Sequence, residues 1–455
     1  MKRLLINIHT LATMNETDEI ISGAYVSIDD NVIEEVGPGE PSDLSPYDEI
    51  IDLSGHVVIP GLVNTHHHLY QSLFRNVREV ASAKLFDWLT YLYGLWEKLD
   101  NEAIYVSTKV AVYEMMKSGV TTTTDMLYLH PKGKERFIDS EIEGAAECGI
   151  RFHPTRGSMS LSEKDGGLPP DSVVQTHEQI MEDSRRLIER FHDPRKLSML
   201  RIALAPCSPF SVKESSLAET VELAEEYDVL LHTHLAETRD EEEFCLSNHG
   251  LRPVDYMKKV GWLNRRVWFA HVVWVNDSDI RLLSESDCGI AHCPSSNMRL
   301  GSGIAPIRKM LDNGLRVGLA VDGSASNDTG NMLLEARNML LLQRVKEGAE
   351  ALTPYEALRA ATIGGASVLR MDDYTGSIDP GKAADLIAFN LNRIEFAGGV
   401  SEPVGSLIMC DAKQADFVMI NGKVRIKEGQ FLDKGIDDLV KRHNEISLRL
   451  VKLAS

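Results

Sequence analysis

Short β-branched runs alternate with amphipathic segments along most of this chain, the pattern of parallel strands joined by crossover helices. Eight such runs stand out: VVIPGLVN from Val57, GVTTTTDM from Gly119, GIRFHPTR from Gly149, LRIALAP from Leu200, VLLHTHL from Val229, VWFAHVV from Val267, CGIAHCP from Cys288 and LRVGLAVD from Leu315. Between them, segments such as Glu214 to Tyr227 set Leu217, Val221 and Ala224 on one face, as an amphipathic helix requires. Eight strand–helix units over about 310 residues predict an α/β fold, a TIM (β/α)8 barrel with large loop insertions, in preference to a doubly wound open sheet.

The pattern changes on both flanks. Near the start, AYVSIDDNVIEEVG carries an Asp-Asp-Asn turn between apolar runs. After the eighth run, Thr353 reads as an N-cap, Pro354 as the first helical residue and Glu356 as the capping-box partner. Beyond that helix, GSIDPGKAADLIAFN and FVMINGKVRIKEGQF return to turn-and-strand chemistry, with Asn421-Gly422 marking a hairpin. Residues 1–56 and 375–435 are therefore expected to build one small composite β-sandwich, 57–374 the barrel, and 436–455 a C-terminal helix.

Composition changes this picture little, but it excludes some partners. A chain of 455 residues with 43% hydrophobic content can bury a large core. Its net charge of −20, with no clustered Lys/Arg face, argues against nucleic acid or an anionic membrane surface as the main partner. The six cysteines are dispersed without a CxxC pair, which fits free thiols in a reducing cytoplasm. The opening MKRLLINIHTLATMNETDE reads as a first strand, and no apolar run approaches the ~18 residues of a membrane span.

Candidate chemistry sits where the predicted strands end. In a TIM barrel, functional side chains project from the C-terminal strand ends, because that face carries the long loops. The first run ends in His66 and His68, the fifth in His234 with Glu237 just beyond, the sixth in His271, the seventh in His292 and the eighth in Asp322. Alternation in an extended segment puts His66 and His68 on one side and His67 on the other. Two imidazoles on one face, joined by His234 and the Asp322 carboxylate from distant strands, form a site for one divalent first-row metal. Such a metal makes water nucleophilic near neutral pH; Asp322 could then take a proton, His271 orient the water and Glu237 carry a proton to a substrate. The remaining histidines, His232 among them, are read as structural or surface residues, and Asp240 to Glu243 as a solvated acidic run.

At these residues the chain resembles a known family. PGLVNTHHH, HTHLAET, FAHVV, AHCPSSNMRLGSG, VDGSASND and GSIDPGKAADLIAFN, in this order, resemble the amidohydrolase superfamily in its branch of metal-dependent aminohydrolases for nucleobases and related heterocycles. The resemblance spans nearly the whole chain. It implies a distorted barrel with a β-sandwich built from both termini, and one zinc ion, with iron the alternative. It maps the metal ligands onto His66, His68, His234 and Asp322, the catalytic acid onto Glu237 and the water-orienting histidine onto His271. The end of the fourth run, LRIALAPCSP, lacks the lysine that bridges two metals in binuclear relatives, so one metal is expected.

HHHLYQSLFR, LFDWLTYLYGLWEKL and RGSMSLSEKDGGLPPDSV narrow the resemblance to the 8-oxoguanine-deaminase and hydroxyatrazine-hydrolase-like group. That implies hydrolytic loss of ammonia from an oxo-purine, 8-oxoguanine going to urate, with isoxanthopterin or guanine, or an s-triazine, as the alternatives. Gln71 matches the glutamine that reads the ring edge in guanine-deaminating relatives. Arg156 is a second candidate for that edge, Trp88 for covering the ring, and Cys207 stands where guanine deaminases carry an arginine. His292 completes the candidate substrate-binding set. Homo-oligomers are usual in such barrels, and YLYGLW from Tyr91 to Trp96 is either an apolar contact surface or a core segment.

Overall fold

The structure, a computed structural model, describes residues 1–134, 136–410 and 412–452. Eight parallel strands follow one another in chain order: β1 (Leu62–Asn64), β2 (Val120–Leu127), β3 (Arg151–Ser158), β4 (Ala203–Pro206), β5 (Leu231–Leu235), β6 (Val267–His271), β7 (Gly289–His292) and β8 (Arg316–Leu319). The Thr65 N–H donates to Leu319 O at 3.1 Å, which brings the first and last strands together. Every residue of β2 and β3 is buried. Helices outside and side chains inside cover both faces of such strands, so they read as continuous runs rather than as alternating ones.

The first predicted run divides in two. His56–Pro60 does not enter the barrel but pairs antiparallel with Leu386–Asn390, placing Ile59 opposite Ile387. The chain passes from one sheet to the other at Gly61, where a Cβ would collide with the Thr121 side chain. The barrel boundary expected at residue 57 therefore falls at Gly61, because an apolar run carries no record of which sheet supplies its hydrogen bonds.

Both flanks form one nine-stranded sheet, in which Lys2–Ala12 lies between Ile20–Asp29 and His56–Pro60, with Phe417–Ile420 beyond Leu386–Asn390. The sheet curls until Val32 bridges Ala383, enclosing a core that includes Leu5, Val26, Ile33, Leu386 and Met419. The Asn421-Gly422 hairpin turns with φ of 49° and 76°, the two positive values of a type I′ turn. Thr353 and Glu356 form the expected reciprocal capping box.

The C-terminal helix Ile436–Lys452 buries His443, Ile446 and Leu450. His443 Nε2 lies 3.0 Å from Ser72 Oγ, and Ser447 Oγ donates to Leu73 O at 2.6 Å. This helix therefore backs the turn that follows His68. Among the described residues, no helix is long and apolar enough to cross a membrane.

Candidate active site

His66 and His68 leave the end of β1 on the same side, and His234, His271 and Asp322 converge on them from β5, β6 and the residues after β8. His66 Nε2 lies 3.4 Å from Asp322 Oδ1, His68 Nε2 lies 3.5 Å from that oxygen, and His68 Nε2 lies 3.2 Å from His234 Nε2. Two imidazole nitrogens facing each other cannot both be donors without repulsion. The opposite edges of the rings settle which atoms carry protons. His68 Nδ1 donates to Met126 O at 2.7 Å and His234 Nδ1 to Cys207 O at 2.6 Å, so both Nε2 atoms present lone pairs inward. His66 Nε2 is buried and has no hydrogen-bond partner. Burial holds the His66 and His234 rings well below their usual pKa, so they stay neutral. Neutral inward lone pairs beside one carboxylate, with one nitrogen orphaned, are the donor set a divalent cation takes, and these residues fit a metal.

Asp322 is held by the Gly323 N–H at 2.6 Å and the Ser326 hydroxyl at 3.3 Å. Burial opposes its ionisation, but the neighbouring imidazoles of His66, His271 and His68 outweigh this and hold the carboxyl well below the usual range. The opposite holds for Glu237, whose pKa burial raises well above the usual range, with Asp322 and then Glu241 adding to the shift. Glu237 Oε1 accepts from the Ser302 hydroxyl at 3.2 Å. Burial thus biases Glu237 toward its protonated form, whereas Asp322 is biased toward its ionised one. Between them, His271 Nε2 lies 3.5 Å from Glu237 Oε2 and 4.0 Å from Asp322 Oδ2. Asn297 Nδ2 lies 3.0 Å from His271 Nδ1 and, as donor there, leaves the ring proton on Nε2, aimed between the two carboxyls. His271 and Asp322 have φ of 72° and 62°, strained values for non-glycine residues that the barrel rim imposes where it aims them inward.

Above these groups is a pocket lined by His68, His234, Glu237, His271 and Asp322 at its base and by Gln71, Trp88, Tyr128, Phe210 and Cys207 around its walls. Neither polar atom of the Gln71 amide has a partner, and the side chain lies against Gly323, where any Cβ would collide with it. A buried amide with both ends free is expensive unless a ligand satisfies it.

Residues 57–430 match the Amidohydrolase family. The chain belongs to the amidohydrolase family. Among characterised amidohydrolases, it is 47% identical to the 8-oxoguanine deaminase of Pseudomonas aeruginosa, over 94% of this chain and 95% of that one. It is 34% identical to the hydroxydechloroatrazine ethylaminohydrolase of Pseudomonas sp. strain ADP, over 96% of this chain and 92% of that one. Among solved structures, an atrazine chlorohydrolase from Arthrobacter aurescens TC1 complexed with zinc superposes with a TM-score of 0.93 at 32% identity, covering 98% of this chain and all of that one.

Within this amidohydrolase barrel, two of the expected substrate-binding residues stand apart from the cavity. Arg156 is buried, with Nε on Asp183 Oδ2 at 3.0 Å, one terminal nitrogen on Gly157 O at 2.5 Å and the other on Gln175 Oε1 at 2.8 Å. Each guanidinium nitrogen thus has a protein partner, and the group ties β3 to its neighbours away from the pocket lining. Arg156→Ala is accordingly expected to lower stability by about 3 kcal/mol, the order of a broken buried ion pair, and to leave metal content unchanged; calorimetry with metal analysis checks this. His292 is buried with both ring nitrogens unpartnered, but it is not among the residues lining the cavity. In the Tyr91–Trp96 segment, Leu92, Tyr93, Leu95 and Trp96 are buried and only Tyr91 and Gly94 are exposed, so most of it is core.

The sequence reading missed two buried groups. Glu241, inside an acidic run whose composition reads as solvated, accepts from the Ala236 N–H at 2.7 Å and the Glu237 N–H at 3.0 Å, fixing the backbone that aims Glu237. Its acidic neighbours disguise it, although its place in the first turn of the helix that follows Glu237 is a usable signal. His232 lies beneath His66, and HTH repeats the alternation of His66 and His68.

Proposed function

We propose that the chain is a mononuclear, zinc-dependent aminohydrolase that releases ammonia from 8-oxoguanine to give urate. His66, His68, His234 and Asp322 would hold the metal, whose chemistry is to make water nucleophilic near neutral pH. The observation that carries the reading is the placement of the buried Glu237 and Asp322 carboxyls on either side of His271, beneath an unpartnered Gln71 amide. The 47% identity to an 8-oxoguanine deaminase supports the choice of ring.

In this mechanism Asp322 takes a proton as water adds to the amino-bearing ring carbon, while the His271 Nε2 proton orients the incoming oxygen. Glu237 gives its proton to the adjacent ring nitrogen. On collapse, the new hydroxyl returns its proton to Glu237 and the departing amine takes the Asp322 proton, leaving as ammonia. Gln71 presents an acceptor and a donor to the ring edge, and Trp88, Tyr128 and Phe210 cover apolar surface. Cys207 borders the cavity as a neutral thiol, its pKa pushed up to about 12 by burial.

All six cysteines are free thiols, which supports a cytoplasmic enzyme. The test of the substrate is ammonia release across 8-oxoguanine, isoxanthopterin, guanine, cytosine, S-adenosylhomocysteine and hydroxyatrazine. The expected order by kcat/KM puts 8-oxoguanine first, isoxanthopterin next and guanine lower, because a site built to bond the extra oxo group rejects the ring lacking it. Exclusive reaction of hydroxyatrazine, or a best rate with cytosine or the nucleoside, would overturn the substrate and leave the metal hydrolase standing.

A further inference from the structure

His68 and His234 each anchor their outer nitrogen on a backbone carbonyl, but His66 does not. Its Nδ1 lies 2.7 Å from Nε2 of His232, and Nδ1 of His232 lies 2.9 Å from Trp268 O. A carbonyl oxygen only accepts, so His232 Nδ1 must donate. With its Nδ1 proton on Trp268 O, His232 offers Nε2 as the acceptor facing His66 Nδ1, and a His66 ring that donates there carries its lone pair on Nε2. That is the orphaned nitrogen facing Asp322. The relay cannot easily reverse, because the His232 ring is stacked on the Trp268 indole with centroids 4.3 Å apart and 9° between planes.

We propose that His232 is a positioning residue that sets the tautomer and orientation of His66, and through them the strength with which the site holds its metal. The inference rests on reading His66 as a metal ligand. It distinguishes His66 from the two other imidazoles: their anchors are main-chain atoms that no substitution removes, whereas the anchor of His66 is a side chain. Metal affinity is thus adjustable at residue 232 without touching a ligand or the substrate cavity.

The test is zinc retention by the loaded enzyme against a graded series of chelators, with wild type, His232→Leu and His232→Gln compared. Leucine keeps the bulk and removes the acceptor, whereas glutamine can place an oxygen near the lost Nε2. Leucine is expected to weaken retention by 10–100-fold, the usual effect of losing a ligand's supporting hydrogen bond, and glutamine to recover most of it. Wild-type retention in the leucine variant, or equal losses in both variants, would overturn the proposal in favour of simple packing. Should the leucine variant not fold, ¹⁵N–¹H correlation of the metal-free wild type decides: a proton on His66 Nδ1 supports the relay and a proton on Nε2 refutes it. Unchanged retention in His66→Ala would instead sink the ligand assignment itself.

Discussion

Glu237→Gln is expected to keep its metal and lose turnover by at least ~100-fold, the lower end of what a positioned proton carrier contributes. Glutamine has the shape of the carboxyl it replaces, and its amide oxygen can still accept from Ser302, which stands 3.2 Å from the present carboxyl. The scaffold should therefore be undisturbed, since neither a charge nor a cavity is introduced. What disappears is the ability to surrender a proton to the ring nitrogen and recover it from the new hydroxyl. Ammonia-release kinetics beside elemental analysis of the same sample check this. Near-normal kcat with full metal would mean that another group carries the proton.

His66→Ala should fall below about 0.2 metal per chain, whereas His67→Asn should stay close to wild type, because losing one of four ligands forfeits most of the binding free energy. The contrast is sharp because the two histidines are adjacent and both buried. His67 turns away, and its Nδ1 accepts the His68 N–H at 2.7 Å, a role an asparagine oxygen can take over. Asparagine at 67 is expected to cost a kcal/mol or so of stability and no metal. Equal metal loss in both variants would contradict the alternation that assigns His66 and His68 inward.

The eight barrel strands were legible because strands covered on both faces leave long apolar runs, and the convergence of His66, His68, His234 and Asp322 because strand alternation and the rim rule act on the same few residues. Arg156 shows where that logic stops. A charged residue at a strand end reads as facing substrate, yet its partner Asp183 sits on a separate helix with no local signal linking the two. The segment from Val57 failed differently, since hydrophobicity reports burial and not the identity of the neighbouring strand. His232 and Glu241 were hidden by stronger local patterns around them, one beside a ligand and the other within an acidic run. Both act on a functional residue from behind, at 2.7 Å from His66 and at 3.0 Å or less from the Ala236 and Glu237 backbone, where sequence spacing has little to say about depth.

The pairing of Ile59 with Ile387 also bears on how the chain is made. At ordinary rates of synthesis, the strand that leads into the barrel leaves the ribosome on the order of tens of seconds before its partner exists. Throughout that interval the edge of His56–Pro60 that pairs with Leu386–Asn390 is open. The barrel between them must collapse while tethered to an unfinished sheet, and contacts of such sequence separation slow folding. Nascent chains halted before residue 386 should accordingly be the species that chaperones hold, and release should follow the arrival of the Leu386–Asn390 strand.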